Sequence, residues 1–536
     1  MAKRLLLSPR WWALLTLGLA IGYSAVATTR LHLLMLAPIT VSWLLLARGL
    51  SWGTGPEPAR PLRLPWSLLP LTFWGIYVYL AASFGIVDLG AVFFHLQAGI
   101  SQHGGGKRIL DAVLYCLSML GVLGAFTWLV RHDARWRRYE RWLALLLLVA
   151  NPLLYGIGQR SAAIVTEDGA WLDRRYVPPV IHQAPEKPPN LLLLYLEGLE
   201  HTYADRQRFG DVYAPLAELG RRGLVFEGIR QIDNTGWTMA GMIASQCGTP
   251  LMPAGLLHDS QFEPLERVVP GVDCLGDLLK GQDYRLSFLG GASSSFAGKG
   301  KFYRGHGFDR VEGRETLAPK LEDPEYLNSW GLYDDSLYDF TVEEIRRLDA
   351  AKGPWAVVNL SIGTHPPYGF PSHSCTERQG EHDGVDILYT VECGAWLAKS
   401  LIERLQAEGL LDNTLVVIAS DHLSMKVSAW EQLILGPRAN TFMMLGKNIP
   451  PRRFQVEAST MDLLPTILEA MGFDIERHRA GLGVSLLSGQ PTLVERHGIE
   501  MLNARMREET ALHERLWQGL DVQPSARPQG PSQTQN

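Results

Sequence analysis

Five apolar runs in the first 158 residues constrain the fold more than any other feature of the chain. They cover residues 11–27, 31–47, 66–87, 109–130 and 142–157. Crossing about 30 Å of hydrocarbon takes about 20 residues of helix, so the third and fourth runs are long enough and the others borrow flanking residues. Buried soluble helices rarely come as five runs separated by basic loops. We therefore predict an α-helical membrane domain of five spans over residues 1–158.

The distribution of Lys and Arg orients these spans. One set of flanks carries the bulk of the cations, namely Lys3, Arg4, Arg10, Arg48, Arg60, Arg63, Arg131, Arg135, Arg137, Arg138 and Arg141. The opposite set carries only Arg30, Lys107 and Arg108. Because basic flanks stay in the cytoplasm, an odd number of spans places everything after about residue 158 on the far side of the membrane.

Cysteine usage agrees with an exported second half. Cys116 lies in the fourth predicted span, and the other four cysteines follow it as Cys247, Cys274, Cys375 and Cys393. An even number of cysteines in an oxidising compartment indicates two disulfides, for which three connectivities are possible. Proximity in sequence favours Cys247–Cys274 and Cys375–Cys393 over the other pairings and over four free thiols.

The exported half has the pattern of an α/β enzyme. A polar connector over 159–189 leads into a predicted catalytic domain at 190–517, and a tail at 518–536, rich in Pro, Gln and Ser, is predicted to be disordered. Apolar strands are predicted at 190–196, 224–232, 285–289, 355–361, 414–420 and 441–445, with helical patterns between them, including 335–348, 394–408 and 461–471. Such alternation predicts a mainly parallel sheet with helices on both faces, which binds its ligands beyond the carboxyl ends of the strands.

Polar residues follow three of these predicted strands. Glu197 ends the first, Thr364 and His365 follow the fourth, and Asp421 and His422 end the fifth. Carboxylates with one imidazole suit Mn²⁺, Mg²⁺ or Zn²⁺, so their convergence predicts a metal site. Each residue alone is weak evidence, since an Asp after a strand often caps the next helix and a single His is more often structural.

A nucleophile is indicated by the segment NTGWTMAGMIASQCG at 234–248. A loop ending near Trp237 runs into a helix of small residues that begins near Thr238. A hydroxyl there would lie at the positive end of the helix, where it could attack a phosphate beside a bound cation. The alternative is that Thr238 only caps the helix, and the residues alone leave both open.

Six segments together resemble the phosphoglycerol transferase I family of bacterial envelopes. They read LYLEGLEHTYAD, NTGWTMAGMIASQCGTPL, FAGKGKFYRGHGFD, NSWGLYDDSLYDF, THPPYGF and SDHLSM. They occur in order between about 190 and 489, and more distantly the layout is similar to that of lipoteichoic acid synthases and the alkaline phosphatase–sulfatase superfamily. The C/S-x-P-x-R motif from which sulfatases form formylglycine does not occur around Thr238.

The resemblance implies a role for each candidate residue. The implied ligands of a single divalent cation, Mn²⁺ or Mg²⁺ in preference to Zn²⁺, are Glu197, Thr238, Asp421 and His422. Thr238 would also be the nucleophile, and His365 the acid or base beside the leaving or entering oxygen. The residues implied to contact the substrate are Trp330 and Asp334 in the glycerophosphate pocket, and Lys299 and Arg304 at the phosphate or lipid headgroup. For the two cations, ordinary surface positions are an equal alternative.

The resemblance also implies a reaction and a location. Phosphoglycerol would pass from phosphatidylglycerol to a periplasmic glucan in two steps, with diacylglycerol released into the bilayer, at a multi-pass protein of the bacterial inner membrane whose catalytic domain faces the periplasm. Alternatives are a phosphoethanolamine transferase, a glycerophosphate polymerase and, outside enzymes, an inactive envelope sensor or scaffold. A net charge of −5 gives no indication of nucleic-acid binding.

Overall fold

A computed structural model describes residues 66–84, 115–124, 126–127, 134–151, 169–252, 267–381 and 386–518. The chain divides into two compact units. The described residues up to 151 belong to the first unit, and those from 169 onwards belong to the second. The predicted runs 11–27 and 31–47 and the tail beyond residue 518 lie outside the described residues.

The first unit consists of helices where it is described. They are Leu68–Phe84, residues 115–124 and Ala134–Val149. Within the unit, the Trp74 indole donates a hydrogen bond to the Leu147 carbonyl at 2.7 Å, and the Tyr115 hydroxyl donates to the Gly75 carbonyl at 2.7 Å. No helix among the described residues combines the length and the apolar character needed to cross a bilayer. The five spans therefore stay a prediction.

The second unit is built on one eight-stranded sheet. Its strands, with four short strands that lie outside the main sheet, are β1 (Ile181–Gln183), β2 (Asn190–Leu196), β3 (Leu224–Arg230), β4 (Arg285–Gly290), β5 (Arg310–Glu312), β6 (Trp355–Leu360), β7 (Thr414–Ser420), β8 (Phe442–Leu445), β9 (Arg452–Ser459), β10 (Asp474–Ile475), β11 (Arg479–Ala480) and β12 (Gly483–Val484). The main sheet has the order β5-β4-β6-β2-β7-β8-β3-β9. Only β8 among these eight runs antiparallel to its neighbours.

Helices connect the strands of the second unit. They are α1 (Arg206–Phe209), α2 (Ala214–Gly220), α3 (Thr238–Cys247), α4 (Leu275–Lys280), α5 (Lys299–Gly305), α6 (Arg314–Leu317), α7 (Asp334–Ala350), α8 (Ile387–Ala407), α9 (Trp430–Leu433), α10 (Leu463–Ala470), α11 (Leu493–His497), α12 (Ile499–Glu508) and α13 (Ala511–Leu516). Short 3₁₀ turns lie at Asp173–Arg175, His201–Ala204, Phe296–Gly298, Ala318–Lys320, His373–Glu381, Thr460–Asp462 and Glu476–His478.

Two apolar cores hold the sheet between layers of helices. In β2, alternate side chains enter opposite cores, so that Leu191 and Leu193 pack on one face and Leu192 and Leu194 on the other. The first core takes in α3 and α10, and the second takes in α2, α7 and α8. Burial on both faces explains why the strand is a continuous apolar run. The predicted α/β architecture with a mainly parallel sheet is confirmed.

Some elements differ from the prediction, and the reasons are local. β9 was not predicted because, as an edge strand, it keeps most of its side chains exposed or half-buried and lacks an apolar run. The predicted connector contains β1, which pairs with β10 far along the chain. Both favoured disulfides, Cys247–Cys274 and Cys375–Cys393, are present, and Cys116 is free and exposed.

Candidate functional site

The register of β2 and β7 brings two carboxylates together. The strands are parallel neighbours, and Leu196 pairs with Ser420 at their carboxyl ends. The next residue on each strand is therefore Glu197 or Asp421, and both side chains are buried. Two acidic groups more than two hundred residues apart thus meet at the sheet edge where an α/β fold binds ligands.

His422 completes a cluster with these carboxylates. Its Nε2 lies 3.3 Å from Glu197 Oε1 and 3.4 Å from Asp421 Oδ2. Neither contact is a hydrogen bond, since Nε2 of His422 and Oδ2 of Asp421 are both buried without a hydrogen-bond partner. Nδ1 of His422 lies 2.7 Å from the Leu423 carbonyl, which fixes the ring orientation and leaves Nε2 facing the carboxylates.

The electrostatics of the cluster show how strongly its members interact. Burial by itself raises the pKa of Glu197, yet the nearby His422 ring outweighs it and lowers that pKa to about 2. Burial and the Glu197 charge raise the pKa of Asp421 to about 7. Burial lowers the pKa of His422, but the two carboxylates raise it to about 9. The cluster thus concentrates negative charge in a buried place, where a cation is stabilised.

The donor set fits a divalent cation. One atom from each of Glu197, Asp421 and His422 lies within 4.8 Å of the others, and two of these atoms lack any other partner. A second group in the described residues, Cys274 with Asp277 and His306, does not fit. Its sulfur is already in a disulfide, and both ring nitrogens of His306 have hydrogen-bond partners, Asp277 Oδ2 at 2.5 Å and the Val268 carbonyl at 2.8 Å.

Thr238 faces the cluster from the first turn of α3. Its Oγ1 donates a hydrogen bond to Glu197 Oε2 at 3.3 Å. The capping position belongs to Trp237, whose backbone is extended, and no side chain there bonds the helix amides. The alternative that Thr238 serves as the N-cap is therefore wrong. Its hydroxyl is turned towards the acidic cluster at the positive end of the helix.

The loop after β6 brings His365 to the same edge. The Thr364 hydroxyl donates to the Glu197 carbonyl, and the Ser361 hydroxyl accepts from the Glu197 amide at 3.1 Å, so the two loops are joined. His365 is half-buried and packs on the Trp330 indole, with ring centroids 4.2 Å apart. The imidazole therefore lies at the rim of the site, in contact with the Trp330 ring.

Asp334 supports the site through hydrogen bonds to the loop after β6. It was expected to line the substrate pocket, but the structure buries it, and its two carboxylate oxygens accept the amides of Ile362 and Gly363 at 2.8 and 3.0 Å. Burial raises its pKa to about 7, although the amide hydrogen bonds oppose the shift. Asp334 thus fixes the loop that carries His365.

The two cations singled out from the sequence differ sharply. Lys299 is buried, and its Nζ lies 4.9 Å from the centre of the Phe296 ring. Burial lowers the pKa of its ammonium group to about 8, against the opposing influence of Glu197, Glu315 and Asp421. Arg304 lies exposed in the last turn of α5. Lys299 thus belongs to the surroundings of the cluster, while Arg304 has the exposure of a surface cation.

Sequence reasoning placed Thr364 after β6 without predicting its contact, and it missed Gly241 and Ser361, which also set the spacing of the site. Gly241 packs α3 against the backbone of Asp421, and Thr364 and Ser361 join the β2 and β6 loops. The signals were present as the small residues of TMAGMIAS and the hydroxyls of SIGTH. Neither signal says which backbone group it will contact.

Comparison with known proteins decides the family. The family model described as Sulfatase matches residues 189–473, which is more than half of the chain. The chain belongs to the sulfatase family. The match includes all four candidate ligands of this sulfatase-family protein, Glu197, Thr238, Asp421 and His422.

Curated relatives of this sulfatase-family chain carry a more specific name. Phosphoglycerol transferase I of Shigella boydii serotype 18 and that of Escherichia coli O127:H6 are each 32% identical to it over 443 residues. The match covers 79% of this chain and 57% of each relative, so the chain spans little more than half the length of these relatives.

Solved structures with similarity to the sulfatase-family chain were also found. One is a protein of the alkaline phosphatase superfamily from Vibrio parahaemolyticus, with a TM-score of 0.49 and 20% identity, covering 63% of this chain and 79% of that one. Another is the lipoteichoic acid synthase LtaP from Listeria monocytogenes, with a TM-score of 0.44 and 16% identity, covering 62% and 81%.

Proposed function

We propose that this protein transfers phosphoglycerol from phosphatidylglycerol to a glucan outside the cytoplasmic membrane, with Thr238 as the nucleophile. The observation that carries the proposal is the position of the Thr238 hydroxyl, 3.3 Å from Glu197 at the start of α3, beside a buried cluster with two unpartnered ligand atoms. The name of the curated relatives supports phosphoglycerol as the transferred group.

In the first half-reaction, Thr238 Oγ attacks the phosphorus of the lipid. The Thr238 hydroxyl gives up its proton to water as the Thr238–phosphorus bond forms, and the bond from phosphorus to the diacylglycerol oxygen breaks. His365 donates a proton to that leaving oxygen from its position at the rim of the site. The products are diacylglycerol and a glycerophospho-threonine.

In the second half-reaction, a sugar hydroxyl takes the place of diacylglycerol. His365, now without its proton, accepts the proton of the hydroxyl as the sugar oxygen bonds to phosphorus. The Thr238–phosphorus bond breaks, and a proton from water restores the threonine hydroxyl. The Lys299 ammonium and the amides of the first turn of α3 stabilise the negative phosphoryl oxygens in both steps.

Glu197, Asp421 and His422 would hold one divalent cation, with Thr238 as a further ligand. When bound, the cation lowers the pKa of the threonine hydroxyl and offsets charge on the transferring phosphoryl group. Mn²⁺ or Mg²⁺ suits the oxygen-rich donor set better than Zn²⁺. We further propose that residues 1–158 anchor the protein in the bacterial inner membrane, with the catalytic unit in the periplasm beside its lipid donor.

The donor can be tested with labelled lipid headgroups. Membranes containing the full chain are incubated with a glucan and with either phosphatidylglycerol or phosphatidylethanolamine labelled in the headgroup. We expect label on the glucan from phosphatidylglycerol alone, and none with the Thr238→Ala variant. Label from the ethanolamine lipid alone would replace the proposed donor and favour a phosphoethanolamine transferase.

A further inference from the structure

An aromatic hairpin lies next to the candidate acid–base residue. We give this name to residues 326–333, whose two arms meet at a bridge between Leu327 and Leu332. Asn328 closes the turn, since its Oδ1 accepts the amides of Trp330 and Gly331 at 2.9 and 3.0 Å. The tip of the hairpin therefore presents Trp330 to His365 in a fixed geometry.

The neighbouring sheet edge holds the hairpin in place. A Cβ atom on Gly331 would lie 2.0 Å from the Gly291 carbonyl oxygen, so only glycine permits this close approach. The Phe296 ring meets Trp330 edge-on, with centroids 5.4 Å apart. Because Lys299 packs on the same Phe296 ring, the hairpin adjoins the phosphate side of the site at its tip.

Three further rings gather at the base of the hairpin. Tyr326 and Tyr333 stack with centroids 4.5 Å apart and ring planes 16° apart. His373, which is exposed, lies 4.5 Å from Tyr326 and 5.5 Å from Tyr333. We call Tyr326, Tyr333 and His373 the aromatic patch. It lies three residues from Trp330 along one arm of the hairpin, which is about 10 Å of extended chain.

The charges around the aromatic patch are negative. Exposed acidic residues Glu322, Asp323 and Glu325 precede it. The nearest cations in sequence, Lys320 and Arg378, are paired with Glu312 and Glu392, each at 3.7 Å. The Asp335 carboxylate accepts the hydroxyls of Tyr326 and Ser374, each at 2.8 Å. A phosphate or an anionic headgroup is disfavoured here, whereas hydroxyl groups of a neutral ligand would find acceptors.

The arrangement of the rings favours a neutral sugar over a cationic ammonium group as the ligand. An ammonium group is bound by rings that surround it as a cage. The tyrosines instead form a nearly parallel stack, and both rings are only half-buried, so they make a flat aromatic surface and not a cage. Flat apolar faces beside hydroxyl acceptors match a sugar ring, which has apolar C–H faces and a polar edge.

We propose that the aromatic patch is a sugar-binding subsite that holds the acceptor glycan while its reacting hydroxyl lies at His365. The inference rests on the proposed function for the identity of the reaction, but not for the binding itself. It divides the site by charge. Lys299 and the metal cluster receive the anionic donor, and the acidic, aromatic side receives the neutral acceptor.

Binding can be measured without catalysis. The full chain, in a detergent that has no sugar headgroup, is titrated with a linear glucose oligosaccharide by calorimetry. We expect binding that weakens at least about fivefold in His373→Ala and in Tyr333→Leu. Phe454→Leu is the matched control, since this half-buried ring lies on the far edge strand β9, and we expect it to bind as the unaltered chain does.

The effect must also be specific to the acceptor in the transfer assay. We expect His373→Ala to raise KM for the oligosaccharide at least about fivefold and to leave KM for phosphatidylglycerol unchanged. His373 is exposed, so this variant tests the patch even if Tyr333→Leu disturbs the start of α7. Absence of oligosaccharide binding by the unaltered chain, unchanged binding in both patch variants, or preferential binding of choline would overturn the proposal. Failure of phosphatidylglycerol as donor, with sugar binding retained, would reject the proposed function alone.

Discussion

Gly241 lies so close to Asp421 that a Cβ atom at this position would be 1.7 Å from the Asp421 carbonyl oxygen. Gly241 is one turn into α3, whose first residue is Thr238, and Asp421 follows β7. The absence of a side chain thus lets the helix dock against the backbone of a candidate metal ligand. The distance between the candidate nucleophile and the acidic cluster depends on this contact.

Replacing Gly241 with alanine should separate the two halves of the site. The added methyl group meets backbone, which cannot rotate away, so α3 must move. A displacement of about 1 Å at a reacting group costs about a hundredfold in rate, and we expect a loss of that order in transfer activity. Gly394→Ala is the control, because a Cβ atom there would make only ordinary contacts, the nearest at 3.5 Å. Comparable activity in the two variants would contradict the role of Gly241.

Chelation should remove activity, and added Mn²⁺ or Mg²⁺ should restore it. We expect about one bound ion per chain by elemental analysis, with His422→Ala losing it because Nε2 of His422 faces the two carboxylates. His306→Asn serves as control, since the ring nitrogens of His306 have other partners and Cys274 is in a disulfide. Metal loss in His306→Asn with retention in His422→Ala would contradict the proposed site and place the ion beside His306 instead.

Lys299 should give the reaction an upper pH limit. Burial lowers the pKa of its ammonium group to about 8, so the charged form that attracts phosphate is present below that pH and is lost above it. We expect KM for the lipid donor to rise as the pH passes through about 8. In Lys299→Met the KM should show no such break, and below about pH 8 it should already have the raised value that the unaltered chain reaches above that pH. Arg304→Met, which alters an exposed cation, should keep the break. The same break in Lys299→Met would exclude Lys299 as its origin.

Removing the Asp334 carboxylate should lower both stability and activity, because it holds the loop that carries His365. Its removal in Asp334→Ala leaves the buried amides of Ile362 and Gly363 without acceptors, at about 1–3 kcal/mol each. We expect the free energy of unfolding to fall by about 2–6 kcal/mol in a denaturant titration, together with slower transfer as His365 loses its support. A variant as stable as the unaltered chain would show that the loop is held in another way.

The strand ends were predictable from sequence because they follow buried apolar runs. Glu197 and Asp421 each come directly after such a run, and neighbouring parallel strands bring their ends together without further information. The orientation of the side chains was harder to predict from the sequence. Asp334 and Asp335 are adjacent acids at the start of α7, and nothing in the letters says that the first turns inward to two amides while the second faces Tyr326 and Ser374.

Contacts between distant backbones were not predictable at all. Gly241 is one small residue among several in α3, and its importance follows from where Asp421 lies after folding. The direction of β8 was not predictable either, since an apolar run is compatible with a parallel or an antiparallel strand. Pairing with β7 and β3 makes it antiparallel. Local pattern thus predicts the buried strands and where they end, while the edge strand β9 and the spacing within the site come from tertiary packing.

Mass spectrometry of the trapped protein tests the nucleophile most directly. The full chain is incubated with phosphatidylglycerol in the absence of acceptor, quenched in acid, digested and analysed for phosphoglycerol adducts. We predict a glycerophosphate on the peptide that contains Thr238, absent from Thr238→Ala, whose fold should be intact because the side chain does not cap α3. Transfer that proceeds with the adduct on another residue, or with Thr238→Ala fully active, would contradict the central claim.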